Sequence, residues 1–295
     1  MKRIFFLLSI SLLIFFTGCE KDEPVVSPQA NLNDETIAAF KQNLEAEIQS
    51  ENGNINLPEG SIKEISEPTI ITVPGIYMVV NDFTVSSGDG IVINSNHVLL
   101  WAGHHTIIGP GNKEGRGIVL EGVEHVLVWG GKLETFGIGV ALENTIKSAI
   151  KNVSVSGGDE FADPPNGIPP QIGILLLNSN KNHILHNSLQ LINLGIFVRG
   201  PESYNNKIFL NKVKAETNGL LAICYNPAPD AGPEGPTNDK VFLNNLDSFG
   251  VGISTSEGSA ENTFRLNIIR YFNDPWTDAN GTNIFRHNRV EQISP

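Results

Sequence analysis

Asn206-Lys-Ile-Phe-Leu-Asn211 decides the fold, because the chain writes it again as Asp239-Lys-Val-Phe-Leu-Asn244, Asn262-Thr-Phe-Arg-Leu-Asn267 and Asn283-Ile-Phe-Arg-His-Asn288, and earlier as Asn182-His-Ile-Leu-His-Asn187. A second unit, glycine followed by an apolar triplet, keeps step with it: Gly90-Ile-Val-Ile, Gly117-Ile-Val-Leu, Gly139-Val-Ala-Leu, Gly173-Ile-Leu-Leu, Gly195-Ile-Phe-Val, Gly219-Leu-Leu-Ala and Gly252-Ile-Ser-Thr. Glycines 117 and 139 are 22 residues apart, as are 173 and 195, and Gly219 follows after 24. Short apolar strands and polar turns at such a period predict a solenoid, in which each coil buries its neighbour's face.

Each coil reads as three strands: the glycine-led triplet, the Asn-x-apolar strand, and a third pair such as Val153/Val155, Leu189/Leu191 or Val213/Ala215. Alternation sends one side chain in and the next out, so the inward stack is expected to be Ile118, Val140, Ile174, Ile196, Leu220 and Ile253. Cys224 shares the phase of Leu220 and Ala222 and is expected inside with them. The asparagines that end the middle strand are expected to stack coil over coil, amide on amide, as structure rather than chemistry.

The coil length, the asparagine row and the glycine-led strands resemble the right-handed parallel β-helix, or pectin-lyase-like, superfamily over residues 69–295. The stretch Asp82-Phe-Thr-Val, Gly90-Ile-Val-Ile, Trp101-Ala-Gly-His-His-Thr-Ile-Ile-Gly109 is similar to the opening coils of many such bacterial proteins. The resemblance implies an all-β fold. It leaves function open, since the superfamily holds lyases, hydrolases, epimerases, adhesins and copper-site assembly proteins. It also implies that the glycine-led sheet forms the floor of a polysaccharide cleft. The interruptions of the period at 109–116, 157–171 and 225–237 flank that same sheet.

On this alignment the outward residues of the floor are Val92, Val119, Ala141, Leu175, Phe197, Leu221 and Ser254, then Asn94, Glu121, Glu143, Leu177, Arg199, Ile223 and Ser256. Glu121 and Glu143 fall on adjacent coils, ~4.8 Å apart at Cα, and such a stack costs stability unless a cation, a basic side chain or a shared proton relieves it. These two and Arg199 are the candidate ligand-binding residues and the only candidates for catalysis. Asp159, Glu160 and Asp163 of the second loop complete the candidate set, with Ca²⁺ as the cofactor the acids would admit. The polygalacturonase motifs are absent, and Gly157-Gly-Asp-Glu-Phe161 matches the diguanylate cyclase signature in a context where that chemistry has no place.

His97 and His125 hold matching places before Val98-Leu-Leu-Trp101 and Val126-Leu-Val-Trp129, and no third ligand falls at a matching place, so no metal site is expected. Trp101 and Trp129 stack by the same alignment and face out, to hold a helix or a sugar ring.

At the N-terminus, Met1-Lys-Arg3 and the apolar run Ile4 to Phe16 form an export signal, too short to span a membrane stably. Phe16-Thr-Gly-Cys19 resembles the bacterial lipoprotein box, which implies residues 1–18 as signal peptide and a lipid on Cys19 as the membrane attachment. Glu20-Lys-Asp-Glu23 resembles the acidic export tag of surface lipoproteins in Bacteroidetes-type bacteria. Residues 19–32 read as a tether. Within 33–68, Ile37, Phe40, Leu44 and Ile48 make an amphipathic helix expected to cap the solenoid or lie on its wall.

Loss of Lys2 and Arg3 takes the formal net charge from −12 to −14, which argues against nucleic acid as partner. The expected protein is an outer-membrane, cell-surface lipoprotein that binds polysaccharide. A lyase, hydrolase or epimerase, and a structural or adhesive surface protein, are the alternatives.

Overall fold

The computed structural model describes residues 62–292 apart from 112–113, 158–170, 191–192, 215–220, 227–233 and 280. The signal, Cys19, the tether, most of the 33–68 segment with its amphipathic residues, and Asp159, Glu160 and Asp163 lie outside the described residues.

The described chain is a right-handed parallel β-helix. All strand pairs are parallel, and they sort into three sheets. The glycine-led sheet runs through Thr69–Ile71, Ile91–Ile93, Arg116–Glu121, Ile138–Glu143, Ile172–Leu177, Leu194–Arg199 and Leu221–Asn226. It ends on the second halves of Asn245–Thr255 and Ile268–Asp278. The asparagine-led sheet includes Ala149–Lys151, His183–Leu185, Lys207–Phe209, Lys240–Phe242, Thr263–Arg265 and Ile284–Arg286. The third sheet includes Ser154–Ser156, Ser188–Gln190 and Lys212–Lys214. Pairing begins at Lys63–Ile65, within the stretch read as a lead-in.

The inward residues form one continuous core, as the alternation requires. Ile118, Val140, Ile174, Ile196 and Ile253 are all fully buried in register. The sixth member is Ile223, not Leu220: Ile196 pairs with Ile223, and Ile223 with Ile253. The strand glycine is small because a Cβ there would meet the next coil, as at Gly139, where the Gly173 carbonyl oxygen would lie 2.7 Å away. At Gly195 the clash is with Ala222 and the inward Val213, so the small-residue place expected for Gly219 is held by Ala222. A slip of three residues, being odd, turns every side chain of the strand to the other face. The outward residues here are therefore Cys224, in register with Phe197 and Ser254, and Asn226, in register with Arg199. Leu221 and Ile223 do not hold those places, and Cys224 is buried on the outer row rather than in the core.

Two polar ladders line the corners of the asparagine-led strands. In the first, the Oδ1 of Asn211 accepts from both the backbone N–H and the Nδ2 of Asn187, each at 3.0 Å, and Asn211 Nδ2 donates back to the Ile184 carbonyl at 2.9 Å. Asn244, Asn267 and Asn288 repeat this. The second ladder runs Asn182, Asn206, Asp239, Asn262 and Asn283. Asp239 accepts from the Asn206 backbone N–H at 2.6 Å. An amide at this place also donates to the preceding coil, as Asn206 does to the Ser179 carbonyl at 2.9 Å. Only a protonated carboxyl can imitate that. Complete burial pushes Asp239 up to about 7, against the hydrogen bonds from Asn206 that act in the opposite direction.

Candidate functional site

The outer face of the glycine-led sheet carries three columns. Ile138, Ile172, Leu194, Leu221 and Val251 form one in register, and Val119, Ala141, Leu175, Phe197, Cys224 and Ser254 the next. The third contains Glu121, Glu143, Leu177, Arg199 and Asn226. The middle column is largely covered, with Val119 and Ala141 fully buried, Leu175 and Cys224 buried, and Phe197 half-buried, and it is bordered by a row in which most coils present a charge or an amide.

Glu121 and Glu143 are in register, as expected. What relieves them is a basic side chain that the sequence reading missed. Arg116 heads the strand Arg116–Glu121; its Nη1 donates to Glu143 Oε1 at 2.8 Å and its Nη2 to Asp89 Oδ2 at 2.6 Å. Its Nε adds two bonds of 3.1 Å to the Asp89 carboxylate, and its backbone N–H a fourth contact at 2.9 Å. This fork holds the guanidinium charged, with the Asp89 bonds the largest cause of its raised pKa. The signal was present: Asp89 and Arg116 each stand immediately before a strand glycine, Gly90 and Gly117, so the repeat stacks them.

Glu121 is exposed, and no described carboxylate or base pairs with it. Arg199 is half-buried, with its guanidinium carbon 5.8 Å from the Phe197 ring centroid and its Nε buried without a hydrogen-bond partner. Arg199 and Glu143 are separated by one coil, that of Leu177, so the structure puts them in one row but not in contact.

His97 and His125 stack as the alignment required, ring centroids 5.1 Å apart and planes within 4°. Both lie in left-handed backbone at the same corner, and the next residue of that corner row is Lys147. Trp101 and Trp129 are in register and half-buried, with the Lys151 ammonium 5.3 Å from the Trp129 ring.

The family model described as "Periplasmic copper-binding protein (NosD)" matches residues 61–227, more than half the chain. The chain belongs to the NosD family. No curated protein matches it. Among solved structures, this NosD-family chain is similar to the Dettilon tailspike protein, at 15% identity and a TM-score of 0.53 over 79% of the chain and 61% of the tailspike. It is also similar to the GH136 lacto-N-biosidase from Eubacterium ramulus, at 9% identity and a TM-score of 0.45 over 75% of the chain and 45% of the enzyme. The chain spans less than two thirds of either, and the likeness to the tailspike shows the fold alone.

The described residues do not fit the copper of the family's description. Parallel imidazoles direct their in-plane lone pairs side by side rather than onto one ion, and the third place in that row is a cation, Lys147. His105 Nδ1 is taken by Asp82 at 3.2 Å. The Cys224 thiol is pushed up to about 12 by burial, so it lacks the thiolate form that binds metals. Among the described residues no three of His, Cys, Asp and Glu come together as a metal site, and Glu143 is engaged by Arg116 rather than open to Ca²⁺. Nor is any described helix long and apolar enough to cross a membrane.

Proposed function

We propose that this NosD-family protein is exported, anchored through a lipid on Cys19 at the outer surface, and binds a polysaccharide along the outer face of its glycine-led sheet without cleaving it. Arg199 carries this reading: a half-buried guanidinium with an unpartnered Nε, beside the half-buried ring of Phe197. Sugars are amphipathic, with C–H faces that sit on apolar and aromatic surface and hydroxyls that bond to charged and amide groups. The half-buried ring of Phe197 offers the first, and Arg199 and Asn226 on adjacent coils, with Glu121 three coils before Arg199, offer the second.

Binding is favoured over hydrolysis because a glycosidase requires two carboxyl groups in different protonation states flanking the bond. Glu143 and Asp89 are both engaged by Arg116, which leaves Glu121 as the acid of that row without an ion-pair partner among the described residues. Asp239, the acid raised to about 7, is inside the solenoid where no sugar reaches.

A glycan array with the mature protein, followed by chromatographic analysis of each bound sugar after incubation, tests the reading. It expects retention of at least one polysaccharide with no change in chain length. Shortened or unsaturated products would show an enzyme, and no retention on any sugar would show a structural protein. Cys19→Ala should move the protein from the membrane to the soluble fraction.

A further inference from the structure

The outer surface of the asparagine-led sheet carries a second array that the glycine-led face does not explain. Lys207, Lys240, Arg265 and Arg286 place one cation on each of four successive coils. Ile208, Val241 and Phe264 beside them are fully buried in the core, so strand alternation forces these cations outward. Phe209 and Phe242 lie beside the two lysines and continue the column of Arg265 and Arg286, stacked face to face at 5.0 Å and 2°. Next to these rings, the corner residues Leu210, Leu243 and Leu266 are 41%, 46% and 42% exposed in left-handed backbone, a conformation that disfavours leucine. Among the described residues no carboxylate lies within ion-pair distance of the four cations.

Lys207 stacks on Lys240 and Arg265 on Arg286, and like charges directly in register oppose folding. Solubility does not call for them in a chain of net charge −12. A bound polyanion would remove the repulsion.

We propose that this face is a second binding surface, for an acidic polysaccharide that carries a carboxylate or sulfate on nearly every sugar. Lys207 and Lys240 repeat at the strand spacing of ~4.8 Å in one column, and Arg265 and Arg286 do so in the neighbouring column two residues further along the strands, so one charge per coil follows the array with a sideways step between the second and third coils. The stacked phenylalanines and the leucine corner supply the apolar surface for its C–H faces. A polynucleotide or an anionic lipid surface would share the electrostatics but not this one-charge-per-coil match.

The site is independent of the glycine-led face, and dextran sulfate with neutral dextran as its uncharged counterpart tests it. The parent should bind dextran sulfate, release it steeply as salt rises, and ignore dextran. The triple variant Lys207→Gln, Lys240→Gln, Arg265→Gln should bind about tenfold more weakly or worse while melting as a folded protein. Each single variant should shift affinity in the same direction by less, which keeps the test open if the triple variant fails to fold. Arg199→Ala should leave this binding intact, so failure here is separable from failure of the first site. Unchanged affinity in the triple variant overturns the proposal. So does binding of single-stranded DNA, or of vesicles rich in phosphatidylglycerol, as tight as that of dextran sulfate.

Discussion

The asparagine ladders and the bordering row of the glycine-led face are built alike, one side chain per coil in the same parallel register, yet they end in opposite states. In the ladder, Asn211 satisfies the donors of Asn187 and the carbonyl of Ile184, and nothing is left over. In the outer row, Glu121 pairs with no described base and Arg199 keeps a nitrogen without a partner. A stack of polar groups that closes on itself is structure, and the proposed function takes the open one as the place for a ligand. Arg116 is the intermediate case, closing Glu143 and Asp89 from outside the row.

The largest effect should come from breaking the closed stack. Asn211→Ala orphans two buried donors of Asn187, and should cost about 3 kcal/mol in a urea melt.

The second ladder sharpens the comparison through its single acid. Asp239 in its folded state is raised to about 7 from 3.8, so the native state holds a proton that the unfolded chain has lost. Its contribution is present below about pH 4 and is lost as pH rises to about 7, on the order of 2–4 kcal/mol. Asp239→Asn restores the amide, so it should raise the melting temperature at pH 8 and remove this pH dependence. An unchanged profile would show that the ladder does not need the proton.

Arg116→Met should do less, because all three partners are partly exposed: about 1 kcal/mol, shrinking as salt is added. Glu121→Gln should change stability by less than about 0.5 kcal/mol, since its carboxylate has no ion-pair partner among the described residues.

These differences also show how far the sequence could be read. The repeat of Asn206-Lys-Ile-Phe-Leu-Asn211 was enough for the solenoid, the three-strand coil, the ladder of strand-ending asparagines and the stacking of Glu121 on Glu143, because period-two alternation and a fixed coil leave little freedom; the second ladder, with Asp239 in it, was not read. The repeat failed at Gly219, where the glycine that looked like a strand start is displaced by Ala222. The test there is steric, a small residue against the next carbonyl, and a sequence shows it only through which small residue the neighbouring coil can tolerate. That slip misplaced Leu220, Leu221, Ile223 and Cys224 together. Arg116 escaped the strand pattern for another reason: it closes the interruption at 109–116, and it and Asp89 stand one place ahead of the strand glycines, stacked across coils.

The open row is the central claim, and Arg199→Ala tests it most directly. Affinity for the polysaccharide retained on the array would be measured by isothermal titration calorimetry for the parent and the variant, with the melting temperature of each recorded beside it. The account predicts a loss of about tenfold or more in affinity with the melt nearly unchanged, since the guanidinium serves a ligand and not the fold. Equal affinity in the two proteins, or a melt that falls as far as that of Asn211→Ala, would contradict it and place Arg199 among the residues that hold the solenoid together.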